Sequence, residues 1–244
     1  MRKYGLIGFP LEHSFSKSYF EKKFNKLQIK NVNYENYELD NINHLNNLIE
    51  KVPDINGLNV TIPHKENVMK FLDEVDDEAK KIGSVNVIKF QNGTLKGYNT
   101  DHLGFKESLL KWIPNRNFSA LILGSGGSSN AIQFCLNNLE IPFKIVSRNS
   151  GGSKITYDEL KKNRGLSNYN LIINSTPLGM YPNIQTFPDL DYDLLTNKHY
   201  VFDLVYNPIE TKLLSISKNK GANTKNGYEM LAIQADLSWG IWNN

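Results

Sequence analysis

The chain has 244 residues, of which 40% are hydrophobic and 22% are charged, a composition typical of a globular protein with room for two modest domains. Its formal net charge is only +3 and no basic run resembles a nucleic-acid-binding patch, so we expect no nucleic-acid partner. No apolar run is long enough to span a membrane, and the first residues lack the apolar core of a signal peptide, so we expect no membrane association. The lone Cys135 cannot form an internal disulfide, which favours a cytoplasmic location.

Strand and helix signals alternate along the first hundred residues, as they do in α/β folds. A hairpin signal, Gln91-Asn-Gly93, separates the last two predicted strands, and Gly83 is expected to end a helix. The predicted strands are 3–9, 32–39, 55–60, 85–90 and 94–98. The predicted helices are 16–27, 42–52, 73–82 and 101–112.

A glycine-rich loop follows the next predicted strand, residues 119–123. The loop is Gly124-Ser-Gly-Gly-Ser-Ser-Asn-Ala131, and it runs into a helix over 132–136. Strand, glycine turn and helix N-terminus form the phosphate-binding geometry of dinucleotide folds, because the glycines let the pyrophosphate approach the backbone. Ala131 stands near where a third glycine would usually fall, so an ordinary glycine turn remains the alternative.

Arg148 follows the second strand of this predicted unit, residues 142–147, at the position where NAD-binding folds carry an acidic residue. A guanidinium there suits the 2′-phosphate of NADP, because its planar fork pairs with phosphate oxygens. The alternative is a solvated surface arginine. Arg148 therefore favours NADP(H) over NAD as the cofactor.

Two further strands, 169–174 and 199–204, and an amphipathic helix over 228–242 complete the pattern. We predict an α/β protein with largely parallel sheets. It would consist of an N-terminal α/β substrate-binding domain and a Rossmann-like NADP-binding domain, with the C-terminal helix returning to the first domain. The expected boundaries are 1–101 with 228–244 for the first domain and 102–227 for the second.

Four short polar motifs in the first domain fall at predicted strand ends or turns, where α/β proteins bind ligands. They are His13-Ser-Phe-Ser16, Asn59-Val-Thr-Ile-Pro-His-Lys65, Gly83-Ser-Val-Asn86 and Gly97-Tyr-Asn-Thr-Asp101. The two serines could bind a carboxylate or only cap a helix, and Asp101 could likewise be only an N-cap. Lys65 and Asp101 together form a proton-transfer pair suited to reducing a ketone with a nicotinamide cofactor. The alternative for Lys65 is a solvated turn residue.

In their order and spacing, these motifs resemble those of the shikimate dehydrogenases almost from end to end. The similarity includes Gly8-Phe-Pro-Leu-Glu-His-Ser-Phe-Ser16 and the glycine loop, and continues through Asn174-Ser-Thr-Pro-Leu-Gly-Met180, Asp203-Leu-Val-Tyr-Asn-Pro208 and Gly227-Tyr-Glu-Met-Leu-Ala-Ile-Gln234. The resemblance implies NADP(H)-dependent interconversion of 3-dehydroshikimate and shikimate, a step of aromatic amino-acid biosynthesis. It further implies a small-molecule substrate, a monomer or homodimer, and no metal.

The resemblance also implies roles for individual residues. Lys65 and Asp101 would be the catalytic pair, and Ser14 and Ser16 would hold the substrate carboxylate. The implied contacts to the ring hydroxyls are Asn59, Thr61, Asn86, Asp101 and Gln234, with Tyr206 near the substrate. The implied cofactor contacts are Gly124, Ser125, Gly126, Gly127, Ser128 and Ala131 at the pyrophosphate, Arg148 at the 2′-phosphate, Thr176, Leu204 and Met230 around the nicotinamide, and Gly227. For Met230, core packing on an amphipathic helix is the alternative.

The chain departs from the family pattern at three places. Val87 replaces the threonine usual after Asn86, Lys17 stands where the family mostly has proline, and no threonine follows Arg148 directly. The first two changes are expected to tune the substrate pocket, and the third weakens the argument for NADP slightly. A quinate/shikimate dehydrogenase with relaxed substrate or cofactor choice fits the same motifs, because an apolar wall rejects an added hydroxyl only modestly. A non-catalytic NADP-binding regulatory protein would not need both Lys65 and Asp101.

Overall fold

A computed structural model describes residues 1–12, 14–113, 118–162 and 165–244; His13, the first residue of the His-Ser-Phe-Ser motif, lies outside them. The chain divides into two compact units. Unit 1 comprises Met1–Asp101 and Ala232–Asn244, and unit 2 comprises His102–Leu231. Each unit contains one six-stranded sheet.

The sheet of unit 1 is mixed, and three helices lie between its strands in the chain. Its strands are β1 (Arg2–Gly8), β2 (Val32–Glu38), β3 (Ile55–Val60), β4 (Glu74–Val75), β5 (Val87–Gln91) and β6 (Thr94–Tyr98). Its helices are α1 (Ser16–Lys26), α2 (Leu45–Lys51) and α3 (Asp77–Ile82).

The strand order in unit 1 is β2-β1-β3-β5-β6-β4. β1 pairs in parallel with β2 and β3, whereas β5 is antiparallel to both β3 and β6. Because of these directions, the carboxyl ends of β1, β3 and β6 lie at the same edge of the sheet as the amino end of β5. This edge is where the polar motifs of the sequence converge.

Unit 2 starts with a long helix and a βαβ unit. Its strands are β7 (Ala120–Leu123), β8 (Phe143–Val146), β9 (Lys154–Ile155), β10 (Leu171–Asn174), β11 (Tyr200–Asp203) and β12 (Asn223–Lys225). The helices that follow α3 in the chain are α4 (Asp101–Trp112), α5 (Gly127–Asn138), α6 (Tyr157–Lys162), α7 (Lys212–Asn219) and α8 (Tyr228–Asn243), the last of which continues into unit 1.

The sheet of unit 2 has the order β12-β11-β10-β7-β8-β9, and every pair in it is parallel. Counted from β7, this is the 3-2-1-4-5-6 order of a dinucleotide-binding sheet, with the switch point between β7 and β10. Ile122, Ile173 and Phe202 pack in one hydrophobic cluster, and their neighbours Leu121 and Ile172 pack in a second. Both faces are therefore covered, as a parallel sheet requires. The predicted Rossmann-like domain is confirmed.

The C-terminal helix returns to unit 1, as predicted. The Trp242 ring stacks on Tyr4 with centroids 4.8 Å apart, and its Nε1 donates to the Ile88 carbonyl oxygen at 2.9 Å. Phe20 stacks on Tyr34 in the same cluster, at 4.3 Å. The helix thus belongs to the core of the first unit although the whole of unit 2 precedes Ala232 in the chain.

Most predicted elements are confirmed, but the region 73–82 differs. Glu74–Val75 forms a short strand beside β6, and the helix begins only at Asp77. The Asp76 side chain accepts a hydrogen bond from Glu78 N and so caps the helix later than the apolar pattern suggested. Gly83 ends that helix with φ of 73°, as predicted. The short elements β9, α6, α7 and β12 were not predicted.

No helix in the part of the chain that the structure describes is both long and apolar enough to cross a membrane.

Candidate active site

The edge of the unit 1 sheet gathers residues from four separate motifs. Val60 N donates to Asn86 O at 2.8 Å, and Asn86 N donates to Tyr98 O at 3.0 Å. Val85 N donates to Lys65 O, also at 2.8 Å. These backbone bonds tie the segment before β5 to the ends of β3 and β6, which brings together side chains that are far apart in the sequence.

Lys65 and Asp101 form a nearly buried ion pair at this edge. Lys65 Nζ lies 2.7 Å from Asp101 Oδ2, and the two side chains are 14% and 7% exposed. Asp101 is the first residue of α4, and its backbone N–H donates to Asn99 Oδ1 at 3.0 Å. Its carboxylate is therefore directed to Lys65 and the neighbouring amide group, which goes beyond the helix-capping alternative.

Asn86 holds the second oxygen of the Asp101 carboxylate. Its Nδ2 donates to Asp101 Oδ1 at 2.9 Å and lies 3.2 Å from Gln234 Oε1, while its Oδ1 accepts Thr100 N at 2.7 Å. The last bond determines which way the amide faces, since only the oxygen can accept a backbone N–H. Asn86, Asp101, Lys65 and Gln234 thus form one connected polar cluster.

Asn59 lies beneath this cluster and is 5% exposed. Its Nδ2 donates to Asn86 O at 3.2 Å and to Ser238 Oγ at 3.0 Å, and its Oδ1 accepts from Tyr34 Oη at 2.9 Å. Both amide hydrogens are therefore used inside unit 1. A contact of Asn59 with a ring hydroxyl stays a prediction, and it would have to use the remaining lone pair of Oδ1.

The serines predicted to hold a carboxylate lie between β1 and α1. Ser16 is buried and Ser14 is half-buried, and Ser14 Oγ lies 3.4 Å from Ser16 N. The N-cap position of α1 is Phe15, without a side-chain cap bond, but Ser14 Oγ accepts a hydrogen bond from Ser16 N, the first residue of the helix. Both the carboxylate-binding prediction and the helix-capping alternative therefore stay open. Thr61 is half-buried at the end of β3, where its N–H donates to Ile7 O at 2.9 Å and joins it to the strand that precedes the serines.

Two departures from the family pattern have plain structural accounts. Val87 is fully buried in the hydrophobic cluster of Tyr4 and Phe20, so a methyl group occupies this position where a hydroxyl would need a partner. Lys17 Nζ pairs with Glu35 Oε2 at 2.5 Å on the half-exposed surface of α1 and β2. The expectation that these residues tune the pocket stays a prediction.

The glycine loop of unit 2 connects β7 to α5, as predicted. Gly124 has φ of 105°, and a Cβ there would lie 2.8 Å from Ser175 Oγ, so this position needs glycine for both reasons. A Cβ at Gly126 would meet nothing within 4 Å, and Gly126 is the N-cap of α5 without a side-chain cap bond. The loop therefore leaves an open approach to the helix N-terminus, a geometry that fits a phosphate group.

The rest of the loop is fixed by the first turns of α5. Ser129 is fully buried, and its Oγ donates to Gly124 O at 2.9 Å. Ala131, near the position of the third glycine, is fully buried, and Ser125 is exposed. The remaining predicted pyrophosphate contacts, Gly127 and Ser128, are half-buried in the first turn of α5.

Arg148 lies at the carboxyl end of β8, next to the glycine loop. β7 and β8 pair as Leu123 with Val146, and Gly124 N donates to Val146 O at 2.8 Å. The arginine is exposed two residues beyond this bond. Its guanidinium can therefore reach a ligand lying over the loop, which suits a 2′-phosphate.

The loops after β10 and β11 carry the other predicted cofactor residues. Thr176 donates through N and Oγ1 to Asn174 Oδ1, at 3.1 and 2.6 Å. A Cβ on Gly227 would lie only 2.0 Å from Leu204 O, so the two segments approach as closely as glycine allows. Tyr206 is half-buried two residues past Leu204.

Met230 is 7% exposed within the hydrophobic cluster of unit 2. This burial is what the core-packing alternative predicts, and the nicotinamide contact of Met230 stays a prediction.

Sequence reasoning missed Thr100 and Ser238 as members of the polar cluster. Thr100 Oγ1 donates to Gln234 O at 3.1 Å, and Ser238 Oγ donates to the same carbonyl at 2.8 Å. A signal existed for Ser238, because it stands four positions after Gln234 and so shares its helix face. Within the described residues, no group of three or more His, Cys, Asp or Glu side chains could hold a metal ion.

A parallel 3-2-1-4-5-6 sheet with a glycine loop in one unit, together with a buried Lys–Asp pair in a second α/β unit, characterises a two-domain dinucleotide-dependent oxidoreductase. The family model for the shikimate dehydrogenase substrate binding domain matches residues 6–88. The shikimate dehydrogenase (NADP(+)) of Methanosphaera stadtmanae is 38% identical over 257 aligned positions, covering 98% of this chain and 90% of the relative. The chain therefore belongs to the shikimate dehydrogenase family.

Solved structures agree with this assignment. Shikimate dehydrogenase 1 from Peptoclostridium difficile is similar with a TM-score of 0.88 and 35% identity, over 100% of this chain and 92% of that one. The shikimate 5-dehydrogenase of Thermus thermophilus, solved in complex with NADP(H) and shikimate, has a TM-score of 0.85 and 28% identity over 99% and 93% of the two chains.

Proposed function

We propose that this protein catalyses the reversible, NADP-dependent reduction of 3-dehydroshikimate to shikimate. The observation that carries the proposal is the nearly buried Lys65–Asp101 pair, with a nitrogen–oxygen distance of 2.7 Å. A buried ion pair adds little net stability to a fold, so a pair kept at a ligand-binding edge points to chemistry.

The cofactor side is supported by the open approach over Gly126 and by the exposed Arg148. We propose that residues 124–131 hold the pyrophosphate and Arg148 the 2′-phosphate, with Thr176, Leu204, Gly227 and Met230 along the rest of the cofactor. When bound in its reduced form, NADPH supplies the hydride that the ketone carbon accepts.

On the substrate side, we propose that Ser14 and Ser16 bind the carboxylate through their hydroxyl groups. Asn86, Asp101 and Gln234 then orient the ring hydroxyls, because their polar atoms already converge within one hydrogen-bonded cluster. Asn59, Thr61 and Tyr206 complete the set of proposed substrate contacts. Fixing the ring at several points is what aligns one carbon for hydride transfer.

Lys65 is the proposed acid. Reduction places a hydride on the carbonyl carbon and a proton on the carbonyl oxygen, and the Lys65 ammonium donates that proton as the oxygen becomes an alkoxide. In the reverse direction, the neutral amine takes the proton from the shikimate hydroxyl. Asp101, whose two oxygens accept hydrogen bonds from Lys65 and Asn86, orients the ammonium group.

A steady-state assay with shikimate and NADP tests the function directly. We expect absorbance at 340 nm to rise with wild-type protein and to stay flat with Lys65→Ala protein that retains its fold. Parallel assays with quinate and with NAD compare kcat/KM for the four combinations, and we expect shikimate with NADP to give the highest value. A folded wild-type protein that turns over neither acid would exclude the proposal.

The finer organisation is also part of the proposal. We propose that residues 1–101 and 228–244 form the substrate-binding domain and residues 102–227 the NADP-binding domain. We further propose that the protein acts in the cytoplasm as a monomer or homodimer. A reducing compartment suits Cys135, whose buried thiol has a pKa raised to about 12 by burial and is therefore inert.

A further inference from the structure

Asp203 is a buried carboxylate to which the proposed chemistry assigns no task. It is the last residue of β11, pairs in register with Asn174 at the end of β10, and is 0% exposed. β10 borders the switch point of the unit 2 sheet, where a bound ligand is expected, and β11 is the next strand beyond it. Burying a carboxylate is costly unless it is compensated, so its retention needs a reason.

Three donors surround the Asp203 carboxylate, and none of them carries a charge. Asn174 Nδ2 and Val205 N donate to Oδ1 at 2.9 and 3.0 Å, and Thr211 Oγ1 donates to Oδ2 at 2.6 Å. Burial raises the Asp203 pKa to about 6 despite these bonds.

Two of the three donors, Asn174 and Val205, are connected by hydrogen bonds or by the chain to residues proposed to line the nicotinamide. Asn174, held by Asp203, accepts both hydrogen bonds from Thr176 through its Oδ1, and its backbone oxygen accepts Leu204 N at 2.9 Å. Val205, also held by Asp203, directly follows Leu204, and its carbonyl oxygen accepts Gly227 N at 3.1 Å. The third donor, Thr211, caps α7 by accepting a hydrogen bond from Leu214 N, and its Cβ lies 3.3 Å from where a Cβ on Gly179 would stand.

We propose that Asp203 is a positioning residue for the nicotinamide end of the cofactor site, acting through Asn174 on the Thr176 loop and through Val205 on the Leu204 segment. This inference rests on the proposed function. Asp203 does not contact the cofactor in this scheme. Its hydrogen bonds fix the distance between the Thr176 loop and the Leu204 segment, which are both proposed to contact the nicotinamide ring. A hydrophobic residue of similar size could not make these hydrogen bonds.

The test compares binding of the whole cofactor with binding of its phosphoadenosine half. NADPH affinity is measured by the fluorescence of the reduced nicotinamide, and adenosine 2′,5′-bisphosphate affinity by calorimetry, for wild type, Asp203→Ala and Thr211→Val. For Asp203→Ala we expect the Kd of NADPH to rise about tenfold while the Kd of the bisphosphate stays unchanged. The kcat should fall about a hundredfold, because a small misplacement of reacting groups has that effect, and the shikimate KM should change little.

Thr211→Val is the matched control, because Thr211 donates to Oδ2 of the carboxylate, whereas Asn174 and Val205 donate to Oδ1. It should lower the melting temperature, through loss of a helix cap and a buried hydrogen bond, without shifting NADPH affinity. Asp203→Asn keeps an oxygen for Asn174 and Val205 and should retain most of the NADPH affinity. If Asp203→Ala does not fold, Asn174→Ala is the substitute, because it removes the side chain that links Asp203 to Thr176. It should likewise raise the Kd of NADPH and leave the Kd of the bisphosphate unchanged.

The proposal is overturned if Asp203→Ala weakens NADPH and the bisphosphate equally, or if Thr211→Val weakens NADPH as much as Asp203→Ala does. Either outcome would mean that the carboxylate only supports the fold. If the wild-type protein binds NADPH but turns over neither shikimate nor quinate, the proposed function fails, while the binding comparison still tests the role of Asp203.

Discussion

Lys65 and Asp101 lie 36 positions apart in the chain, yet Nζ and Oδ2 are 2.7 Å apart. Lys65 stands on the turn after β3, and Asp101 starts the helix after β6. β5 lies between β3 and β6 and is antiparallel to both, so β3 and β6 run in the same direction and end at the same edge of the sheet. The pair is therefore a product of sheet topology.

Replacing Lys65 by alanine should lower kcat by at least about two orders of magnitude, because general acid–base catalysis contributes about a hundred- to ten-thousand-fold. The shikimate KM should change far less, since the proposed carboxylate contacts are Ser14 and Ser16. Steady-state kinetics at saturating NADP measure both constants. Lys96→Ala is the control, since Lys96 forms an exposed ion pair with Glu74 in the same sheet. A near-normal kcat in Lys65→Ala would leave Lys65 as a turn residue.

Replacing Asp101 by asparagine should also lower kcat, and it should raise the shikimate KM more than Lys65→Ala does. Asp101 has two proposed tasks, the orientation of Lys65 and a contact with a ring hydroxyl. The amide keeps the shape of the carboxylate but loses the charge that pairs with the ammonium group. An unchanged KM for shikimate in this variant would contradict the proposed contact between Asp101 and a ring hydroxyl.

Two glycines of the same loop should respond differently to alanine. Gly124→Ala should lower the free energy of unfolding by about 1 kcal/mol or more, because the φ of 105° and the approach to Ser175 exclude a Cβ. Gly126→Ala should leave stability within about 0.5 kcal/mol and raise the KM for NADP, since its Cβ would enter only the open space over the helix N-terminus. Urea unfolding and cofactor kinetics separate the two effects. An unaltered KM in Gly126→Ala would place the pyrophosphate elsewhere.

Arg148→Gln should raise the KM for NADP about tenfold to a hundredfold, because a hydrogen bond to a charged group contributes about 1.5–3 kcal/mol. The KM for NAD, which lacks the 2′-phosphate, should stay the same and serves as the internal control. A parallel variant, Lys218→Gln, changes another exposed cation of unit 2 that pairs with Glu210. Equal effects on the two cofactors would reduce Arg148 to a solvated surface arginine.

Asp203 should impose an unusual pH dependence on stability. Its folded pKa, about 6, lies above the ordinary value of 3.8, so the folded protein binds more protons than the unfolded chain between these two pH values. The contribution of Asp203 to the free energy of unfolding is therefore largest below pH 3.8 and falls as pH rises through about 6. Relative to Asp203→Asn, the free energy of unfolding of the wild type should fall by up to about 3 kcal/mol between pH 3.8 and about pH 6, and it should change little at higher pH. Urea unfolding of both proteins at several pH values measures the difference, and a difference that does not vary with pH would contradict the prediction.

Local patterns were sufficient for most of the fold. Residues 55–60, 94–98, 101–112 and 228–243 form the predicted strands and helices, within a residue or two. The region 73–82 was misassigned because the two-residue strand β4 is too short to show a period, and the cap at Asp76 competed with an earlier helix start.

The sequence by itself determined the order of elements, the glycine loop, the exposed Arg148 and the identity of the residues at the strand ends, since each depends on neighbours a few positions away. Only the tertiary structure decided that Asn86 holds Asp101, that Asn59 uses its amide hydrogens internally, and that Asp203 joins the loops of Thr176 and Leu204. These contacts join residues from different strands, loops and helices. Their geometry follows from sheet order and register, which no local pattern specifies.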